Sequence, residues 1–177
     1  MVREMTGFEL EHCINEYGKD IYSFCKHLTG NRQEADDLYQ DTFLKAVELQ
    51  GKIRWEDNPK SYLLSVVVQL WKNRRRKAVW RNRIAPVVSI QEEKDVEVSC
   101  EMEGSPEEKC LVNEEKRIVQ SAVDKLPEKL KLCVLLFYME ELSVAQVAKT
   151  LKLPEGTVKS RLYQARKLLQ KELENVL

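Results

Sequence analysis

The sequence predicts an all-α protein of two small helical domains, residues 1–84 and 106–177, joined by a flexible acidic linker at residues 85–105; the second contains a helix-turn-helix. Apolar residues recur every three or four positions through most of the chain, as on one face of a helix, and nowhere alternate as in a strand. The net charge is zero, but residues 72–83 carry seven cations and no acid, whereas residues 91–108 carry eight acids against Lys94 alone. Charge separated in this way indicates segments with different partners.

The first predicted helix begins at a capping box formed by Thr6 and Glu9, in which each side chain bonds the other residue's backbone N–H. Gly30 ends this helix, because glycine readily adopts the left-handed conformation that closes many helices. The apolar stripe between these ends is spaced by three and four residues and consists of Leu10, Ile14, Tyr17, Ile21, Phe24 and Leu28. This spacing gives the helix one face for a core.

A second helix is predicted to begin at Asn31, with Glu34 three positions on, and to end near Gly51. Its early outer face is acidic. Asp37 and Asp41 lie one turn apart, but we expect no metal there because no histidine or third converging carboxylate lies nearby. Apolar residues spread around much of the helix, namely Leu38, Tyr39, Phe43, Leu44 and Val47. The face is therefore either solvated or a docking surface for a protein partner.

A third helix follows a predicted loop, with Asn58 as its N-cap and Pro59 in its first turn. The first half is apolar and β-branched, which indicates burial. In the second half, LWKNRRRKAVWRNR, cations are interleaved with Trp71 and Trp80. Cations follow phosphates and indole rings stack on unpaired bases, so the run favours a nucleic-acid surface over a merely cationic helix end. For Trp71, base contact and core packing are both open.

The region after the basic run is predicted to be a linker, because Pro86, Gly104 and the acids between them lack helical periodicity. Ser105 and Pro106 then begin a fourth helix as N-cap and first-turn proline. The apolar positions of this helix are Leu111, Ile118, Val119, Ala122, Val123 and Leu126. Pro127 begins a fifth helix, PEKLKLCVLLFYME, whose composition indicates burial.

Residues 143–169, SVAQVAKTLKLPEGTVKSRLYQARKLL, predict two short helices separated by a tight break. Ser143 and Gln146 form a capping box for the first, and Pro154 with Gly156 marks the break. The second helix is predicted from about Glu155 to Leu173, with an apolar stripe of Val158, Leu162, Ala165, Leu169 and Leu173. The side opposite the stripe is polar and basic: Ser160, Tyr163, Gln164 and Lys167, flanked by Lys159, Arg161 and Arg166. Such a face suits a major groove, and the alternative is a helical hairpin with a solvated charged side.

The five cysteines show no CxxC spacing and no paired framework, which fits reduced thiols in a cytoplasm. Cys13, Cys25 and Cys133 fall within apolar helical patterns and are expected in the core. Cys100 and Cys110 are expected at the surface.

Membrane proteins, secreted proteins and enzymes are not indicated. No apolar run reaches the roughly 18 residues needed to cross a membrane, and MVREMTGFELEH has no signal-peptide core. His12 and His27 are isolated, and no phosphate-binding loop or nucleophile motif appears. We therefore expect no catalytic residue, no cofactor and no metal.

These segments resemble the extracytoplasmic-function sigma factors, the small two-domain members of the bacterial sigma-70 family. The strongest match is LPEKLKLCVLLFYMEELSVAQVAKTLKLPEGTVKSRLYQARKLLQKEL, which is similar to region 4. The stretch DIYSFCKHLTGNRQEADDLYQDTFLKAVE resembles regions 2.1 and 2.2, and SYLLSVVVQLWKNRRRKAVW occupies the place of regions 2.3 and 2.4. The resemblance covers nearly the whole length, in an order more specific than a helix-turn-helix alone.

The resemblance implies a cytoplasmic protein that binds core RNA polymerase, directs it to promoters and helps to open the duplex. By position, the residues that would dock on the clamp helices of the largest polymerase subunit are Asp36, Asp37, Leu38, Gln40, Asp41, Phe43 and Leu44. Those that would contact the minus-10 element, as duplex and as non-template single strand, are Gln69, Lys72, Asn73, Arg74, Arg75, Arg76, Lys77 and Trp80. Those that would read the minus-35 element are Glu155, Thr157, Lys159, Ser160, Arg161, Tyr163 and Gln164. The acidic linker would follow the polymerase's RNA path, and an anti-sigma factor is an expected partner.

One segment departs from the family pattern. Members often carry asparagine at the place of Gln69 and an acid near Asn73, so VVVQLWKN leaves the identity of the minus-10 bases open. Two other functions also fit parts of the sequence. A stand-alone regulator would need a dimer or an effector pocket, which no segment indicates. A protein that only occupies polymerase or an anti-sigma factor would not need the basic run.

Overall fold

The structure, a computed structural model, describes residues 7–49, 58–84 and 106–175, without the side chains of Phe8, Leu10 and residues 106–112. Within these ranges the chain is almost entirely helical, has no β-strand and divides into two compact units, of which one contains the first three helices and the other contains most of the later ones. The predicted all-α fold with two small domains is confirmed. The capping residues Thr6 and Ser105, Cys100 and the proposed linker at residues 85–105 lie outside the described residues.

Two helices joined at a well-defined junction begin the first unit. Helix α1, Gly7–Thr29, ends where Gly30 adopts a φ of 66° and donates its N–H to the Lys26 carbonyl at 2.9 Å. Helix α2, Arg32–Glu48, begins where the Asn31 side chain accepts the Glu34 N–H at 3.2 Å. Both predicted signals at this junction are confirmed, and α2 ends slightly before the predicted Gly51.

Helix α3, Pro59–Ile84, completes the first unit by packing against both α1 and α2. The Asn58 side chain accepts the Ser61 N–H at 3.3 Å, so the predicted cap is confirmed. The apolar first half of α3 is buried, and it shares a core with the stripes of α1 and α2 that includes Ile21, Phe24, Leu38, Leu63, Leu64 and Val67. Cys13 and Cys25 are buried within this unit, as predicted.

The second unit begins with α4, Pro106–Asp124, and α5, Glu128–Val134, which continues into a π-helical turn, Leu135–Met139. Every side chain from Leu132 to Leu136 is buried. Five consecutive residues of a helix point to all sides of its axis. Because all five are buried here, neighbouring elements surround this segment. The periodicity of α4 is confirmed for Ala122, Val123 and Leu126, but the assignment of Val119 to the apolar face was wrong, because its side chain is about half exposed.

Helices α6, Val144–Leu151, and α7, Glu155–Glu174, form the predicted pair. The capping box is confirmed: Ser143 donates its N–H to Gln146 Oε1 at 2.8 Å, and Gln146 donates its N–H to Ser143 Oγ at 3.2 Å. The break predicted at residues 153–156 is confirmed at Pro154, which is the N-cap of α7, whereas Gly156 lies in the first turn of α7. The left-handed residue is Lys152, with a φ of 55°.

Candidate nucleic-acid interface

The outer face of α7 carries the predicted minus-35 residues on one side of a firmly anchored helix. Val158, Leu162 and Ala165 are buried and fix the rotation of the helix about its axis. That rotation leaves Lys159, Ser160 and Gln164 exposed, and the Tyr163 side chain is 58% exposed. Of the remaining predicted residues, Glu155 is exposed, whereas Thr157 and Arg161 are half-buried at the edges of the face.

Aromatic rings hold two cations on this side of α7. The Lys167 ammonium lies 4.7 Å from the centre of the Tyr163 ring, a cation–π contact along one turn. Arg166 donates its Nε–H to the Tyr138 hydroxyl at 2.6 Å, and its guanidinium lies 5.7 Å from the Tyr138 ring. Sequence reasoning did not single out Tyr138, because it belongs to the π-helical turn and no periodic pattern in the sequence connects it with α7.

The second half of α3 displays the basic run predicted for the minus-10 element. Gln69, Arg75, Arg76 and Lys77 are exposed, whereas Lys72, Asn73 and Arg74 are half-buried. Trp80 is 65% exposed and available to a partner. Trp71 is only 8% exposed, with the Arg75 guanidinium 5.7 Å from its ring centre. Trp71 is therefore a core residue.

Two of these side chains are oriented by neighbours. Arg74 donates an Nη2 hydrogen to Asp41 of α2 at 2.5 Å, so a residue predicted to contact DNA pairs with one predicted to contact polymerase. Arg76 donates an Nη2 hydrogen to Asn73 Oδ1 at 2.5 Å, within α3. The first contact ties the basic run to α2, and the second holds a guanidinium along its own helix.

Helix α2 exposes most of the predicted docking face. Asp37, Gln40 and Asp41 are exposed, and Leu44 is 63% exposed beside a half-exposed Val47. Asp36 and Phe43 are half-buried. Leu38 is fully buried in the core of the unit, so its assignment to the docking face is corrected: a side chain without exposed surface cannot contact a partner.

An aromatic cluster between α1 and α2 supports this face. The Tyr39 ring meets those of Tyr22 and Phe43 edge-on, at centroid distances of 5.5 Å and 4.7 Å. The Tyr22 hydroxyl donates to Asp36 at 2.6 Å, and this hydrogen bond, together with burial, raises the pKa of Tyr22 above its ordinary value. Gly18 lies so close to the Tyr39 hydroxyl that an added Cβ would be 3.0 Å from it. The Tyr22–Tyr39 ring contact and the Tyr22–Asp36 hydrogen bond thus hold α2 against α1.

The described ranges contain no grouping of three or more histidine, cysteine, aspartate or glutamate side chains that could hold a metal ion. In the same ranges, no helix combines the length and the apolar character needed to cross a bilayer.

Two family models match the chain in order. Sigma-70 region 2 matches residues 13–81, which contain most of α1 together with α2 and nearly all of α3. Sigma-70 region 4 matches residues 116–169, from the middle of α4 into α7. The first match lies within one helical unit, and the second lies mostly within the other.

Similar proteins of known class span nearly the same length. The ECF RNA polymerase sigma factor SigW of Bacillus subtilis is 25% identical, over 92% of this chain and 88% of that protein. The RNA polymerase sigma-H factor of Pseudomonas aeruginosa is 28% identical, over 93% and 86%. The solved structure of the sigma factor RpoE of Bartonella quintana, in complex with the anti-sigma factor NepR, superimposes with a TM-score of 0.78 at 22% identity, over 94% of this chain and 97% of that one.

A region 2 unit followed by a region 4 unit with a helix-turn-helix defines the class: the chain belongs to the sigma-70 family. Its two-domain composition and its relatives of matching length place it among the extracytoplasmic-function sigma factors. It is therefore a sigma factor, which binds core RNA polymerase and directs promoter-specific initiation of transcription.

Proposed function

We propose that the two units divide promoter recognition between them, with residues 1–84 responsible for polymerase docking and the minus-10 element, and residues 106–177 for the minus-35 element. The observation that carries this proposal is that α2 and α7 each expose a polar or charged face opposite a buried one, and that the basic second half of α3 is exposed. Residues 85–105 join the units, and their acidic composition suits a path normally followed by RNA.

The α2 face docks on the clamp helices of the largest polymerase subunit. Leu44 and Val47 supply exposed apolar area, and Asp37, Gln40 and Asp41 surround it with polar groups. An apolar centre with a polar rim is the usual composition of a specific protein interface. The aromatic cluster beneath keeps α2 rigid, which lowers the entropy lost on docking.

The α3 face contacts the minus-10 element. Arg75, Arg76 and Lys77 lie on successive positions of an exposed helix, where they follow phosphates. Trp80, one turn further along, offers an exposed ring for an unpaired base of the non-template strand. The same helix thus binds duplex phosphates and a separated strand.

The α7 face reads the minus-35 element in the major groove. Its N-terminal half carries Lys159, Ser160 and Gln164, whose donors and acceptors match base edges, and Tyr163 adds an apolar surface. Recognition helices of this type approach bases with their N-terminal residues. This half of α7 is therefore the base-reading part.

No residue of this chain acts as a catalyst, because the polymerase performs the chemistry. The protein functions in the cytoplasm, where polymerase and promoters are located. An anti-sigma factor is a further partner, and the exposed apolar residues of α2 offer it a surface that polymerase also needs. Competition for one face would keep the sigma factor inactive until the partner is removed.

The test is gel filtration of the purified chain with bacterial core RNA polymerase, followed by run-off transcription from the promoter upstream of its own gene. Co-elution and a transcript that requires both the sigma factor and that promoter are expected. DNA binding without co-elution would instead identify a stand-alone regulator, and co-elution without promoter-dependent transcription would identify a protein that only occupies polymerase.

A further inference from the structure

Tyr138 and Arg166 form a hydrogen-bonded pair that includes none of the residues proposed to read bases. Arg166 is exposed, and Tyr138 is 50% exposed on the π-helical turn, a different element of the same unit. The pair combines an Nε–H donor bond of 2.6 Å with a guanidinium-to-ring distance of 5.7 Å. Two contacts on one long side chain restrict it to a narrow set of conformations.

Arg166 lies on nearly the same side of α7 as Lys159, which belongs to the proposed groove face. It follows Lys159 by seven residues, which brings it to within about 20° of Lys159 around the helix and about 10 Å further along the axis. The N-terminal half of a recognition helix meets base edges, so a residue two turns on reaches the sugar-phosphate rim of the groove.

The chemistry of the contact also suits a phosphate. Tyr138 occupies only one of the five N–H donors of the guanidinium, the one on Nε. The two terminal nitrogens keep the fork that binds a phosphate through two parallel hydrogen bonds. A fork held in place loses less rotamer freedom on binding than a freely moving arginine.

We propose that Arg166 binds a backbone phosphate beside the minus-35 element and that Tyr138 is the positioning residue that aims it. This proposal rests on the function proposed above for α7. It extends the DNA-binding surface beyond α7 to a tyrosine on the helix that precedes the helix-turn-helix. Sequence readout stays with Lys159, Ser160 and Gln164, because a phosphate contact is the same for every sequence.

The test measures the affinity of the holoenzyme for a promoter duplex that it transcribes, as a function of salt, by fluorescence anisotropy. Arg166→Ala should flatten the salt slope by about 0.9, the value for one lost phosphate contact. Tyr138→Phe removes only the hydroxyl and should weaken binding about two- to tenfold, the equivalent of one hydrogen bond. Lys129→Ala removes an exposed cation from α5 and should leave the slope unchanged.

A double-mutant cycle separates positioning from a general structural effect. Tyr138→Phe should have no further effect on affinity in an Arg166→Ala background, since the arginine it aims is gone. An equal effect in both backgrounds, or an unaltered salt slope for Arg166→Ala, would overturn the proposal. If the Lys159 and Gln164 variants lose binding and the Arg166 variant does not, the function proposed for α7 stands and this proposal fails. If the wild-type holoenzyme binds equally well after the minus-35 element is changed, both fail.

Discussion

The two tryptophans of α3 have opposite environments. Trp71 is 8% exposed and lies in the core of the first unit, whereas Trp80, nine positions on, is 65% exposed. From helical spacing alone, Trp71 could either contact a base or pack in the core. Burial now assigns it to stability and leaves Trp80 as the ring available to DNA.

We therefore expect the two tryptophans to separate in their effects. Trp71→Ala should lower the free energy of unfolding by about 3 kcal/mol or more, because it removes a large buried ring. Trp80→Ala should leave unfolding nearly unchanged but reduce transcription from a duplex promoter. Urea unfolding and run-off assays check both. If Trp80 stacks on a separated strand, a template with the minus-10 region already unpaired should recover part of the loss, and equal losses on both templates would argue against stacking.

The turn between α6 and α7 is closed by a lysine where glycine is usual. Leu153 donates its N–H to the Ala148 carbonyl at 2.9 Å and Lys152 donates to the Lys149 carbonyl at 3.3 Å, the pattern of a Schellman motif. Lys152 is in the left-handed region, which is unfavourable for a residue with a Cβ.

Lys152→Gly should therefore stabilise the protein by roughly 0.5–1 kcal/mol, measured as a higher midpoint of thermal unfolding. Lys152→Ala is the matched control, because it removes the same charge and side chain but keeps the Cβ. The alanine variant should show no such gain. A similar gain from both substitutions would trace the effect to the lost charge instead.

At the scale of elements, α2 and α3 are connected through Asp41 and Arg74, which join at 2.5 Å. The pair is partly solvated, so its contribution to stability is at most about 1 kcal/mol. The pair also has an electrostatic consequence for DNA binding, because Asp41 offsets the charge of one arginine in the basic run. Lys77 on the same run is exposed to solvent.

This difference predicts unequal contributions to DNA binding. Lys77→Ala should flatten the salt slope of duplex binding by up to about 0.9, and Arg74→Ala by less, because a paired arginine releases fewer counterions from DNA. Asp41→Asn should make the slope steeper by freeing Arg74. Holoenzyme titrations at several salt concentrations measure all three. Identical slopes for Lys77→Ala and Arg74→Ala would show that the ion pair opens on DNA.

At the scale of the whole molecule, the proposed functions lie on separate units, so they should be separable by mutation. Asp37→Ala with Phe43→Ala alters the α2 face and should reduce co-elution with core polymerase. Lys159→Ala with Gln164→Ala alters α7 and should reduce promoter use while polymerase binding persists. Co-elution and run-off assays on both double variants test this. Retained co-elution of the first, or unchanged transcription by the second, would contradict the corresponding face.

The helices, several of their caps and the order of the two units follow from the sequence alone. The caps at Asn31, Asn58 and Ser143 and the end at Gly30 depend on local hydrogen bonds and backbone preference, which a few neighbouring residues specify. Helical periodicity, which is also read from nearby residues, correctly predicted the buried parts of the α1 and α7 stripes: Ile21, Phe24 and Leu28, and Val158, Leu162 and Ala165.

Which side chains of an apolar or charged run remain exposed depends on how the helices pack. Leu38 and Trp71 are buried whereas Val119 is about half exposed, because burial depends on what packs opposite a residue. The pairs Asp41–Arg74 and Tyr138–Arg166 join residues 33 and 28 positions apart. No local pattern encodes such contacts, since they exist only once two helices have docked. The sequence thus carries the elements and their chemistry, and packing selects the surface that meets a partner.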